Sequence, residues 1–349
     1  MSLGTVNRQV LLARRPVGLV DDDDFELVGS PLPELAEGEA LMRTIYLGMD
    51  ATVRTWLNRG EGYLPAVEIG EVVRGSGIGR IVATRSPAFA VGDVAYSLPG
   101  WQDYAVVRDD AFTTRIDDPG DLRSMMSVFG ATGAAAYFGL TDVGRPQPGQ
   151  TVVVSAAAGA TGSLVGQIAK ILGCRVVGIA GTDAKCAWVV DELGFDGCIN
   201  RRTADLPREL SELCPDRVDV FFDNVGGVVL DAVLGRLAMH GRVVLCGAIS
   251  VYNDQGRPPG PSNYLNLISR RGRMEGFITL DYWDRFPECF DQLRRWAAEG
   301  RLRWREDVFP GLEQAPMALN ALFTGANTGK VIVQVADDAD VPVRIWFPT

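Results

Sequence analysis

At 349 residues and 37.7 kDa the chain exceeds one compact domain of ordinary size and suggests two. Its composition, 47 % apolar and 22 % charged, suits a globular protein with real cores. The net charge of −10 opposes a nucleic-acid partner or an anionic membrane surface. No apolar run is long enough to span a bilayer or to form a signal peptide, so the expected location is cytoplasmic.

The first 120 or so residues read as β-rich. Asn7–Arg15 gives a short strand and turn, and Asp21–Asp24 a run of four carboxylates expected to be a solvated loop. Glu26–Pro31 and Glu39–Leu47 follow as strands, the second with polar and apolar residues alternating. Between residues 68 and 83, glycines at 70, 75, 77 and 79 interrupt Val and Ile, as in a curled, bulged sheet. Pro87–Asp93 turns into another strand, and Trp101–Val107 continues the pattern.

The rhythm changes near Leu122. Helical material reaches Leu140, after which strands and helices alternate: strand Thr151–Ser155, helix Ser163–Leu172, strand Arg175–Ala180, helix Ala184–Leu193 and a short strand at Cys198–Ile199. Strand Val218–Phe222, helix Leu230–Met239 and strand Arg242–Cys246 complete the series. Such alternation predicts a parallel α/β sheet. A helix over Phe286–Ala298 follows, and Lys330–Val335 returns to strand, placed so as to complete the N-terminal β domain. The expected domains are therefore 1–122 with 305–349, and 123–304.

The segment Ser155-Ala156-Ala157-Ala158-Gly159-Ala160-Thr161-Gly162 carries the most chemistry. It reads A-x-x-G-x-x-G between a strand and a helix, with Ala156 where a glycine is usual. Small residues let backbone approach a pyrophosphate, Gly162 allows close helix–strand contact, and the helix start offers unpaired N–H groups. A dinucleotide site is the expectation, against a ligand-free packing turn as the plainer reading. At the end of the second strand, Gly181-Thr182-Asp183-Ala184-Lys185 selects the cofactor. Asp183 could serve a ribose hydroxyl, but Thr182 and Lys185, with Arg201 after the third strand, favour a 2′-phosphate and hence NADPH. Asn224, Gly226 and Gly227 follow the fourth strand, and Cys246 and Gly247 the fifth. Both loops stand at carboxyl strand ends, where a nicotinamide ribose would lie.

Six cysteines are scattered beyond residue 170 and read as buried thiols. The single histidine, His240, is expected at a helix C-terminus as a charge partner. The N-terminal β region therefore offers neither thiolate nor imidazole to a metal, and a histidine relay has little to work with.

Taken together, Asn7-Arg8-Gln9-Val10, Arg15-Pro16-Val17-Gly18, Asp50–Arg54, Ala156–Gly162, Gly181–Lys185, Asp223–Gly227, Cys246–Asn253, Met274–Phe277 and Gly329-Lys330 carry a resemblance over almost the whole chain. It resembles the zinc-independent branch of the medium-chain dehydrogenase/reductases, in the group of leukotriene B4 12-hydroxydehydrogenase, prostaglandin reductase and plant and bacterial double-bond (curcumin-type) reductases. The resemblance implies an α/β Rossmann-type domain with a β-rich, GroES-like domain, a homodimer, and NADPH-dependent reduction of the carbon–carbon double bond of enones and enals without metal. It implies that the turn bearing Ala156, Gly159, Ala160, Thr161 and Gly162 holds the pyrophosphate, and that Lys185 serves the 2′-phosphate. It places Tyr252 at the mouth of the nicotinamide pocket and Asn327 close to the cofactor. Two departures stand out: Arg201 where many members have tyrosine, and Asp50-Ala51-Thr52-Val53-Arg54 where members carry Asp-Pro-Tyr-Met-Arg.

In that chemistry a hydroxyl donor steadies the charge that develops on the carbonyl oxygen, and Tyr252 is the candidate, with Tyr63 and Tyr264 as candidates to line the substrate pocket. An NADPH:quinone oxidoreductase and a non-enzymatic cofactor-binding protein are the alternatives. An apolar sheet edge around Met274–Leu280 is the expected dimer face.

Overall fold

The computed structural model describes residues 6–341 except 61, 255 and 257. The chain divides into two compact units. One comprises 6–126, 306–326 and 331–341, and the other Ser127–Arg305 with Asn327–Lys330.

The second unit holds a six-stranded parallel sheet. In chain order its strands are Thr151–Ser155, Arg175–Ala180, Gly197–Asn200, Val218–Asp223, Leu237–Leu245 and Arg273–Gly276. In space they run third, second, first, fourth, fifth, sixth. This is the Rossmann order, and it makes the gap between the first and fourth strands the switch point at which ligands bind. The sequence of the first strand shows why it lies at the centre. Val152 and Val154 pack on one face with Leu164, Val165 and Ile168, while Val153 packs on the other with Val229, Val233 and Leu234. All three valines are fully buried, so the strand is one unbroken apolar run rather than an alternation.

Two expectations fail here, each for a physical reason. The helix expected over Leu230–Met239 spans Gly227–Gly235, and Leu237–Leu245 is already strand. The run Leu230–Met239 is apolar apart from Asp231, Gly235 and Arg236, which suits a buried helix and a buried strand alike. His240 consequently lies not at a helix end but inside that strand, exposed and in the left-handed region at φ +59°. The helix after the phosphate turn starts at Ala160, three residues earlier than its apolar face indicated.

The first unit is built on a seven-stranded sheet around Glu39–Met49, which pairs antiparallel with Ser76–Thr84, Tyr104–Arg108 and Lys330–Gln334. Register slips at Leu41/Met42, opposite Ala83 and Ile81, and at Thr44/Tyr46, opposite Gly79 and Ile78, curl it. Leu47, Met49, Trp101, Leu312, Leu319, Val331 and Val333 form its core. Val6–Leu12 pairs antiparallel with Phe25–Pro31. The Asn7 amide imitates a strand residue: Nδ2 donates to the Tyr104 carbonyl at 2.9 Å, and Oδ1 accepts from the Tyr104 N–H at 2.8 Å. Arg54 is wholly buried, giving its guanidinium to the carbonyls of Pro16 and Gly18 and to Asn58. Burial pushes it below the usual arginine range, and those acceptors fix the Pro16–Gly18 loop. The four aspartates are not all solvated. Asp22–Asp24 is a turn of 3-10 helix, and buried Asp24 takes the Arg14 guanidinium at 2.7 Å.

Candidate functional site

Three loops at the carboxyl ends of the first, fourth and fifth parallel strands are tied into one assembly by a buried carboxylate. Asp223, fully buried, accepts from Ser155 Oγ at 2.8 Å and from the N–H groups of Val225 and Gly226 at 3.0 and 3.1 Å. Burial raises its pKa, and these three donors oppose the rise. Asn224 donates its N–H to Ser155 Oγ and its Nδ2 to the Ser155 carbonyl, both at 2.8 Å. The Cys246 N–H reaches the Asp223 carbonyl at 2.9 Å. Asn224 thus holds strand ends together, and its amide nitrogen is spent on protein. The Cys246 thiol is pushed up to about 12 by burial and by the nearby Asp223 charge, so it stays neutral.

The turn after the first strand is shaped by contact rather than by freedom. A Cβ on Gly162 would stand 2.3 Å from the Ala156 carbonyl oxygen, so only glycine lets the helix start so close. One turn on, a Cβ on Gly166 would enter the Phe195 ring. Ala156 adopts φ +49°, the left-handed conformation that a glycine would supply at no steric cost. Gly159 is the N-cap and provides no side-chain bond, and the first intrahelical bond runs from the Ser163 N–H to the Gly159 carbonyl at 3.0 Å. The N–H groups of Ala160, Thr161 and Gly162 therefore have no intrahelical acceptor, as at the helix starts that take an anion. Gly329 pairs with this turn: its N–H donates to the Ala158 carbonyl at 2.8 Å, and buried Asn327 donates Nδ2 to the Gly329 carbonyl at 2.9 Å. Asn327 thus reaches the turn through Gly329.

At the end of the second strand, Thr182 caps the helix Asp183–Asp191, its hydroxyl oxygen accepting the Lys185 N–H at 3.3 Å and its proton left to donate elsewhere. Asp183, the alternative ribose ligand, takes the Asn200 amide at 2.7 Å. Arg201 is exposed, its N–H held by the Ala180 carbonyl at 2.9 Å. A residue absent from the sequence-based candidates also stands here. The Arg202 guanidinium lies 3.8–4.0 Å from the point a Gly181 Cβ would occupy, across the end of the second strand. The signal was the adjacent Arg201-Arg202 pair; only the path of the third strand shows which of the two turns toward Gly181.

After the fifth strand the chain loops back to Tyr252. Its hydroxyl oxygen accepts the Ala248 N–H at 2.9 Å and stands 3.2 Å from the position of a Gly247 Cβ. Burial holds the phenol above its usual pKa, against the pull of the Ala248 bond, so it remains O–H with its proton free to donate. Gly226 and Gly227 adopt φ +72° and +54° and face Ala248 and Ser250. A Cβ at Gly226, Gly227 or Gly247 would stand 3.0–3.2 Å from Ala248, Ser250 or Tyr252 respectively, a tight contact. The Asn253 side-chain oxygen is buried with no partner among the described residues.

The two other tyrosines are placed differently. Tyr264 is exposed with Leu265 and Ile268, in a turn that Asn263 fastens to Asp231 of helix Gly227–Gly235. No hydrogen bond or ring contact joins it to Tyr252 among the described residues. Tyr63 belongs to the other unit, half exposed, with its hydroxyl 2.7 Å from Thr52 Oγ1. Among the described residues no group of three or more His, Cys, Asp or Glu side chains could hold a metal ion.

A nicotinamide dinucleotide fits this donor set. The uncapped helix start suits a pyrophosphate, the Thr182–Arg202 corner a further phosphate, and the orphaned Asn253 oxygen a hydroxyl or amide of the nicotinamide riboside.

Comparison with known proteins agrees. Residues 8–115 match the family described as the N-terminal domain of oxidoreductase, and residues 160–296 match the zinc-binding dehydrogenase family. The chain is 38 % identical to the NADPH-dependent curcumin reductase of Escherichia coli (strain K12), covering 95 % of this chain and 98 % of that protein. It is 36 % identical to the 2-alkenal reductase (NADP(+)-dependent) of Nicotiana tabacum, over 95 % of this chain and 98 % of that protein. Among solved structures, CurA of Vibrio vulnificus in complex with NADPH superposes with a TM-score of 0.90 at 40 % identity, covering 95 % of this chain and 99 % of that one.

Proposed function

The chain belongs to the zinc-independent branch of the medium-chain dehydrogenase/reductases, and from that premise we infer how its residues serve the family's reaction. It is an NADPH-dependent reductase of the carbon–carbon double bond of enones and enals. NADPH, when bound, supplies the hydride that adds to the β-carbon. The N–H groups of Ala160, Thr161 and Gly162 hold the pyrophosphate, and Thr182, Lys185, Arg201 and Arg202 receive the 2′-phosphate. Asn327 and Gly329 keep the turn in shape.

Negative charge develops on the substrate carbonyl oxygen, and Tyr252 donates its hydroxyl proton in a hydrogen bond to it. The observation that carries this role is the Ala248 N–H bond to the Tyr252 oxygen: it fixes the hydroxyl, and leaves its hydrogen for another acceptor. An NADPH-oxidation screen of alkenals, aryl enones and quinones, with chelator present, tests the reading. Turnover confined to quinones would overturn the enone preference, and loss of turnover in chelator would overturn the metal-free chemistry.

A homodimer and a cytoplasmic location belong to the same proposal. The sixth strand, Arg273–Gly276, is an edge of its sheet, and Leu265 and Ile268 are exposed on the same unit. A monomeric mass by light scattering would refute the dimer. The six cysteines, all free, support a reducing compartment.

A further inference from the structure

Arg303–Arg305 closes the long segment of the second unit, and it is fastened to both phosphate subsites. One tie goes to helix Ala160–Ile171, which starts at the phosphate turn. Buried Gln167 meets the Arg303 backbone as a strand residue would: Oε1 accepts the Arg303 N–H and Nε2 donates to the Arg303 carbonyl, both at 2.8 Å. Another goes to the turn itself. The Arg305 carbonyl accepts the Lys330 N–H at 2.9 Å and stands where a Cβ on Gly329 would fall. Gly329 in turn donates its N–H to the Ala158 carbonyl. The last tie leaves through the Arg305 side chain. Its Nη2 donates to Glu192 at 2.7 Å, and the guanidinium lies 4.9 Å from the centre of the Trp188 ring. Trp188 and Glu192 stand at the far end of helix Asp183–Asp191, and Thr182 and Lys185 at its near end.

That helix is lightly held. Of its nine residues only Trp188 and Val189 are buried. Cys186 on it is partly exposed, as are Cys198 and Cys246, against the expectation of buried thiols. Each turn of a helix is closed by backbone hydrogen bonds, so a grip on its last turn also orients its first. Arg305 supplies such a grip, on the ring of one of the two buried residues and on the carboxylate that follows the helix.

We propose that Arg305 is a positioning residue for NADPH: with its backbone on the phosphate turn and its guanidinium on helix Asp183–Asp191, it holds the two phosphate subsites at one spacing. NADPH presents a phosphate to each subsite, and NADH presents only its pyrophosphate. Loss of the guanidinium therefore costs NADPH more than NADH. The loss is a few-fold, because Arg305 and Glu192 are 49 % and 46 % exposed, where an ion pair and a ring contact are each weak. The selectivity rests on the reading of the Thr182–Arg202 corner as the 2′-phosphate site.

Dissociation constants of NADPH and NADH are measured by fluorescence titration of the full-length protein and its variants. Arg305→Ala should weaken NADPH about fivefold and NADH less than about twofold, and Arg305→Lys, which keeps the cation, should recover most of the loss. Glu192→Gln discriminates by sign. Were Arg305 to act on the cofactor by charge alone, removing a carboxylate beside it would tighten NADPH; a positioning residue that loses its anchor weakens it, by about twofold. In Arg305→Ala/Arg202→Ala the two losses should fall short of additive, since a corner that no longer binds gains nothing from being placed. Equal weakening of both cofactors by Arg305→Ala, tighter NADPH binding in Glu192→Gln, or full additivity overturns the proposal. Arg202→Ala alone reports on the corner. An NADPH-selective loss there, beside wild-type affinities in Arg305→Ala, ends the proposal and keeps the corner. Equal loss of both cofactors in Arg202→Ala removes the corner reading and the proposal with it.

Discussion

The two ends of the cofactor site are built by different means. At the end proposed for the pyrophosphate, between Ala156 and Gly162, backbone does the work: a left-handed Ala156, an uncapped helix start, and a glycine pressed against a carbonyl. At the end proposed for the nicotinamide, side chains do it: Asp223 gathers three donors, Ser155 and Asn224 bridge strands, and Tyr252 is pinned by Ala248. The first kind of site fails when a shape changes and tolerates changes of chemistry. The second fails when one polar atom is lost and its partner is left unsatisfied.

The largest expected effect lies at the backbone end. Gly162→Val puts carbon 2.3 Å from the Ala156 oxygen and forces the helix start outward. NADPH affinity should fall by about a hundredfold or more, about 2.7 kcal/mol, measured by fluorescence titration on protein whose circular dichroism is unchanged. Wild-type affinity in that variant would mean that the helix start does not hold the pyrophosphate.

At the side-chain end, Tyr252→Phe removes one hydroxyl and little volume. Turnover on an enone should fall by about a hundredfold, as for loss of one well-placed donor, with NADPH affinity within about twofold. Since burial raises the phenol pKa, the donor is lost only as pH rises above about 10, the ordinary tyrosine value. The wild-type turnover profile should therefore show no fall due to Tyr252 across neutral and mildly alkaline pH. Equal turnover in the variant across several enones would end the assignment.

The cationic corner should show a smaller, selective effect. Arg202→Ala should raise the Michaelis constant for NADPH about tenfold and leave that for NADH unchanged, and Lys185→Ala should act in the same direction. A matching rise for both cofactors would mean that these cations only support the fold.

The contrast between the two ends also explains what could be read from the chain. A backbone-built turn leaves its mark in composition: small residues at 156–160, a glycine at 162 and valines before them can be read without coordinates. The parallel sheet followed from the alternation of strands and helices that frames them, whereas its strand order did not. Side-chain networks leave no such mark, because Asp223 and Ser155 meet only once strands distant in sequence pair. Arg202 was hidden because one residue of register decides whether it or Arg201 turns toward Gly181. The buried Asp24 was hidden in a run whose composition says solvent, since its Arg14 partner lies ten residues earlier. His240 was misplaced because apolar periodicity cannot separate a buried helix from a buried strand.

The smallest expected effect tests whether shape alone defines the turn. Ala156 occupies a left-handed conformation that costs a non-glycine residue about 1–2 kcal/mol. Ala156→Gly removes that strain. Against it stand the loss of one partly buried methyl, at most about 0.8 kcal/mol, and the greater freedom of glycine in the unfolded chain, about 0.4–1 kcal/mol. The terms nearly cancel, so denaturant melts should place the variant within about 1 kcal/mol of the parent, and NADPH affinity should stay within about twofold because no donor has moved. A large loss of affinity would mean that the Ala156 methyl touches the cofactor, and the pyrophosphate end would then depend on a side chain after all.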